Sequence, residues 1–162
     1  MDKIDRSRIE NNSLKEEIER LLEFCKKERL ELGDSYFGAP IDEDEISSWE
    51  RETGITIPES YKEWLRFSGE CELIDSHAVF WGPKKFNSDL VPDDFVTVGE
   101  IIGDCEFICF SKEGGYFVKF FEGRVFKEYE SFKGVINAFI ELFGPMKISP
   151  ERMEEILKKL NE

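Results

Sequence analysis

The chain holds a single histidine, His77, no surplus of cations and no long apolar run. Each lack excludes a class. No stretch approaches the roughly 20 apolar residues that a membrane-spanning helix needs. The opening Met1-Asp2-Lys3-Ile4-Asp5-Arg6 is polar and leads into no apolar region, so no secretory leader is expected and the protein reads as cytoplasmic. The Gly-x-Ser-x-Gly elbow, the phosphate loop and the Gly-rich dinucleotide fingerprint are missing. Ser111-Lys112-Glu113-Gly114-Gly115 runs in the wrong order for a phosphate loop and leads into a strand.

Chemistry that depends on cysteine or metal is poorly supplied. Without a leader, Cys25, Cys71, Cys105 and Cys109 are not expected to form disulfides. Cys105 and Cys109 are four apart, not at the two-residue spacing of a zinc knuckle. Cys71 and His77 would pair as a thiol nucleophile only if the fold joined them, and no third orienting group is signalled. Asp93-Asp94 and Asp104 with Glu106 offer carboxylates for a divalent cation, but the spacing of a calcium-binding loop is absent. The reading is no enzyme, no metal and no cofactor.

What the chain does have is acid. Thirty-six Asp and Glu stand against 22 Lys and Arg, a net charge of −14. Residues 41–69 carry a net −5 and residues 70–130 a net −7, so the surplus lies mid-chain. Such a surface argues against generic nucleic-acid or anionic-lipid binding. It permits a basic partner, and solubility alone is the other reading.

The patterning gives an α+β fold. Ser13-Leu14-Lys15-Glu16 reads as a capping box. Leu14, Ile18, Leu21, Leu22 and Cys25 follow as one helical face, with Gly33 as the stop and residues 34–40 as a connector. Asp42 caps the next helix, with Glu45 three residues on and Ile41 facing Ile46 as a staple. Gly54 ends it, Pro58 opens another, and Tyr61, Trp64 and Leu65 mark the buried stripe of that second helix.

After Gly69 the period changes. Cys71–Leu73 and Ala78–Trp81 read as short strands, followed by a long loop from Pro83 to Asp94. Glu106–Phe110, Tyr116–Phe121 and Arg124–Tyr129 then form a meander joined by Gly114-Gly115 and Glu122-Gly123. Ser131 opens a helix with Phe132, Val135, Ile136, Phe139, Ile140 and Phe143 inward, stopped by Gly144-Pro145. Ser149-Pro150 starts a last helix with Met153, Ile156, Leu157 and Leu160 on one side.

The expectation is an antiparallel meander packed with flanking helices, with helices at both ends of the chain. Residues 1–40 form a helical arm, 41–144 the main domain, and 145–162 a helix packed on it. Twelve of the 15 Phe lie between Phe80 and Phe143, and strand 116–121 is partly apolar on both sides. Either helices cover both sheet faces or one face offers an aromatic patch, and five helical segments favour covering both.

The middle of the chain resembles the SUKH superfamily, the Smi/Knr-like domain. The residues that carry the resemblance are Ile46, Trp49-Glu50, Gly54, Ile57-Pro58, Tyr61-Lys62, Trp64-Leu65, Phe67 and Gly69. Gly103-Asp104, the strand ending at Phe110, and Ser131-Phe132 extend it, so it spans about 41–143. The chain departs where it has Ile57-Pro58 for the family's Leu-Pro, and Ser68-Gly69-Glu70 for its Asn-Gly-Gly.

The resemblance implies an α+β fold and a binding role without catalysis. The compact form is similar to the bacterial immunity proteins, cytoplasmic antidotes that bind and block a toxin, often a nuclease. The alternative is a regulatory or scaffolding protein of the cell-wall-assembly-regulator type with a non-toxin partner. For a basic toxin, the expected contacts are Glu70, Glu72, Asp75, Asp93, Asp94, Asp104 and Glu106, with Trp81 as an aromatic anchor. The single apolar stripe of the N-terminal helix allows docking within the chain or a homodimer.

Overall fold

The computed structural model describes residues 4–101, 106–143 and 150–162. A short helix α1 (Ser7–Glu10) precedes α2 (Lys15–Leu32), β1 (Tyr36–Phe37), α3 (Glu43–Thr53) and α4 (Glu59–Phe67). Strands β2 (Cys71–Leu73), β3 (Ala78–Phe80), β4 (Phe95–Ile101), β5 (Glu106–Ser111), β6 (Phe117–Phe121) and β7 (Arg124–Tyr129) follow, then α5 (Phe132–Phe143) and α6 (Pro150–Leu160). The seven strands form one antiparallel sheet in the order β1 to β7, a meander whose first turn is replaced by α3 and α4. The expected α+β architecture is the one present.

Local chemistry explains several boundaries. Asp42 accepts the Asp44 backbone N–H at 2.8 Å, and Ile46 is buried in the core against which the half-buried Ile41 packs. Gly54 takes φ +70° to end α3, a conformation that costs glycine little. Glu122 and Gly123 both take positive φ, as a tight hairpin between β6 and β7 requires.

The start of α2 differs from expectation. No side chain caps it: the helix begins after Leu14, and in the turn ahead of it the Asn12 Oδ1 accepts the Leu14 N–H at 2.9 Å. The Ser13 N–H instead donates to Glu63 at 2.7 Å, so a tertiary partner displaces the local capping box. The connector 34–40 contains β1, which pairs Tyr36 with Glu72 and Phe37 with Cys71. The loop after Pro83 gives way to β4 at Phe95, earlier than the sequence reading placed the meander.

One large core holds the helices and one face of the sheet. Ile9, Leu14, Ile18, Leu21, Trp64, Phe132 and Phe139 share it with Cys71, Leu73, Phe80, Val96, Ile108, Phe110 and Phe117. Phe132 is central, with the rings of Tyr61, Trp64, Phe80 and Phe117 all within 5.5 Å of its own. The stripe of α2 packs within the chain. Phe24 meets Phe139 of α5 edge-on at 5.9 Å, and Arg20 donates to Asn137 at 2.7 Å. The surface considered for a homodimer is therefore occupied by the chain's own α5.

Among the described residues, helices cover one face of the sheet only. The opposite face carries a separate cluster of Val91, Phe107, Cys109, Val118 and Phe120, with Phe95 and Tyr116 against it and no helix residue among its members. This corrects the expectation that helices cover both faces. The stripes of α2 to α5 are all spent on the larger core. Along α6, every residue from Glu151 to Glu162 is exposed, including Met153, Ile156, Leu157 and Leu160. Gly144-Pro145, the expected stop of α5, and Ser149, at the expected start of α6, lie outside the described residues.

Candidate partner-binding face

Strand alternation sends neighbouring side chains to opposite faces, so the register fixes what the helix-free face displays. Cys71 and Leu73 enter the core, so Glu72 faces away from it. Ala78 and Phe80 enter it, so Val79 faces away. Glu72 pairs with Val79, Val79 with Glu100, Glu100 with Phe107, Phe107 with Phe120, and Phe120 with Val125. With Tyr36 opposite Glu72, one row of side chains crosses all seven strands, about 29 Å at the usual strand spacing.

The ends of the row are open and its centre is closed. Tyr36 is 57% exposed and Val125 38%, whereas Phe107 and Phe120 are 9% and 6% exposed. Asn87 exchanges two backbone hydrogen bonds with Thr97, at 2.7 and 3.3 Å. That bridge lays the segment before β4 alongside the strand, and Val91 joins the aromatic cluster.

The two faces differ in charge. Of the strand acids, Glu72, Glu100 and Glu128 lie on the helix-free face. Every strand cation lies on the helix side: Lys119 opposite Lys127, and Arg124 opposite Phe121. A bulge at Phe126 makes this possible, because it shifts the alternation between Arg124 and Lys127. Phe126 itself turns to the helix side, where its ring meets Phe121 at 6.5 Å and the Lys119 ammonium at 5.8 Å.

The acids named from sequence are thereby dispersed. Glu72 is on the helix-free face, Trp81 follows the core-facing Phe80 at the end of β3, and Asp93 and Asp94 are exposed in the turn that enters β4. Glu70 is exposed but ion-paired with Lys85. Asp75 caps the connector, its carboxylate accepting the Asp34 N–H at 3.2 Å. Glu106 is on the helix side, half-buried and 3.4 Å from Lys119, so the sheet itself neutralises it. Asp104 and Cys105 lie outside the described residues.

Trp81 is half-buried with its Nε1 enclosed, and its carbonyl accepts the Tyr61 hydroxyl at 2.6 Å. It is tied to the fold more than an exposed anchor would be. Glu100, Val79 and Tyr36 were missed by sequence reasoning. The β-branched run Val96-Thr97-Val98 was the signal for β4 that would have exposed Glu100.

The Cys–His pairing finds no support in the geometry. Cys71 is fully buried on the core side of β2, and burial pushes its thiol above the ordinary range, the reverse of nucleophile activation. The His77 Nδ1 engages the Ile74 carbonyl, and its ring packs edge-on to Phe143 at 5.5 Å. Among the described residues, no group of three or more His, Cys, Asp and Glu side chains is placed to hold a metal ion. Among them, too, no helix is long and apolar enough to cross a membrane.

A sequence profile of the SMI1 / KNR4 family (SUKH-1) matches residues 40–141, from two residues before the α3 cap into α5. The chain belongs to that family. Its SUKH-1 domain thus includes α3, α4, strands β2 to β7 and most of α5, while α1, α2, β1 and α6 lie outside the matched segment. The family includes immunity proteins for polymorphic toxins. No curated protein matches the chain.

Proposed function

We propose that this SUKH-1 protein is a cytoplasmic, non-enzymatic binding protein of the immunity type. It binds a cognate protein toxin and neutralises it by covering the toxin's active surface. The family match over the α3–α5 core carries the reading, because the family includes such antidotes. The charge of −14 supports a basic toxin, with a nuclease as the natural fit. Carboxylates would occupy the surface that otherwise holds phosphates, and complementary charge would speed the encounter.

The test is affinity capture from the native host at near-physiological salt, followed by an activity assay on what is captured. The expected result is one stoichiometric partner with a basic, nuclease-like domain, whose activity an equimolar amount of the SUKH-1 protein abolishes. Recovery of only housekeeping or envelope-assembly proteins, with no activity suppressed, would overturn the reading in favour of a regulatory or scaffolding role.

A further inference from the structure

We propose that the helix-free face between β1 and β4 is a docking strip for a lysine- or arginine-bearing segment of a protein partner. Glu72 and Glu100 are the paired acceptors. The inference deepens the binding reading above and rests on it only for the partner's being a protein.

Three observations converge on this strip. Glu72 and Glu100 flank Val79 in one row, two strands apart, which is about 10 Å. One extended basic segment can reach both, with the methylene stem of a lysine or arginine lying along Val79 between them. Neither acid is already neutralised. Glu72 accepts only from the Ser76 hydroxyl at 3.2 Å, and Glu100 has no ion pair or side-chain hydrogen bond among the described residues. Glu106, by contrast, is spent on Lys119.

The second observation is the sorting of charge already described. The row holds two carboxylates and no cation, while Lys119, Arg124 and Lys127 all point to the other side. A basic segment meets no like charge from any strand as it crosses, and an acidic one meets only repulsion. The third is the aromatic boundary. Tyr36 stands exposed at the β1 end, beside Glu72 in the register, where its ring can take a second cation on its face. The β1 edge is only two residues long, so it offers little backbone for strand addition. Recognition here is therefore by side chains.

The test needs no knowledge of the natural partner. Hexalysine peptide is titrated into isotope-labelled full-length protein at about physiological salt, where weak pairing of scattered surface charge is screened. The expected result is amide shifts concentrated at Tyr36, Glu72, Val79 and Glu100. The double variant Glu72→Gln with Glu100→Gln should weaken binding about fivefold or more, since two charge pairs are lost together. A control variant with the same charge loss on the helices, Glu31→Gln with Glu52→Gln, should bind as the wild type does. An unchanged spectrum away from the two sites shows that the variants are folded.

Shifts spread over the acids of α2 and α3, or equal weakening in both double variants, would overturn the strip. The two proposals fail separately. Peptide on the strip without a toxin in the capture experiment leaves the strip standing and removes the immunity role. A captured and inhibited toxin that binds the Glu72→Gln, Glu100→Gln variant undiminished does the reverse.

Discussion

Replacing Tyr61 with phenylalanine tests how α4 is fixed to the sheet. Tyr61 is fully buried, and its ring packs against Phe86, Phe117 and Phe132. Its hydroxyl donates to the Trp81 carbonyl at 2.6 Å and lies 3.3 Å from the Val98 carbonyl. Val98 sits at the β4 bulge, where its carbonyl also accepts the Trp81 N–H at 2.9 Å. Phenylalanine keeps the ring contacts and removes only the donor. The Val98 carbonyl retains its bond from Trp81, while the Trp81 carbonyl loses the Tyr61 donor.

Leaving the part-buried Trp81 carbonyl without this donor costs about 1–3 kcal/mol. For a chain of this size that lowers the melting temperature by about 4–8 °C at the centre of the range. Urea unfolding followed by tryptophan fluorescence reads the change. The slope of the transition should not alter, because no surface is newly exposed in the folded state. Tyr61→Leu, which also deletes the aromatic edges, should cost more, about 3–5 kcal/mol. A Tyr61→Phe loss below about 0.5 kcal/mol would refute the reasoning, since it would mean that the hydroxyl contributes less than an ordinary hydrogen bond.

Three further outcomes are expected. Gly99→Ala places a Cβ into the Phe80 ring and the Val79 carbonyl, and should cost about 1–3 kcal/mol in chemical denaturation, because backbone cannot step aside. Burial pushes the Cys109 thiol from 9.0 up to about 11, so the folded chain holds its proton longer than the unfolded one. Stability from this group is then complete below pH 9 and declines as pH rises to about 11, and Cys109→Ala should flatten the decline in denaturation series across that range. Removing residues 150–162 should shift the melting temperature by no more than about 2 °C, because α6 is exposed along its length. A larger fall would show its apolar stripe buried against the domain.

Elements with strong local signals were legible in the sequence. The Asp42 cap, the Gly54 stop and the Glu122-Gly123 turn each work through atoms within a few residues, so their residue types suffice. β4 was not legible. Val96, Thr97, Val98 and Gly99 are all buried, and a bulge falls between Thr97 and Gly99, so no alternation marks the strand. The Ser13 capping box misled for another reason. Glu63, fifty residues away, takes the Ser13 N–H, and α2 starts without a side-chain cap.

The candidate strip was only half legible. Glu72 could be named, but Glu100 was hidden in an unrecognised strand, and Glu106 appeared free where Lys119 in fact pairs with it.

The sequence by itself determined the element types, the acidic surplus and the absence of familiar catalytic signatures, because composition, caps and periodicity are properties of short segments. It also carried the residues by which the SUKH family could be named. Only the tertiary structure decided which face of the sheet the helices take. Alternation says that Glu72 and Cys71 point opposite ways, but not which of the two meets the helices. It likewise decided that the strand cations and most strand acids part company. That sorting depends on the strand register and on the bulge at Phe126, and both are set by pairing between residues distant in the chain.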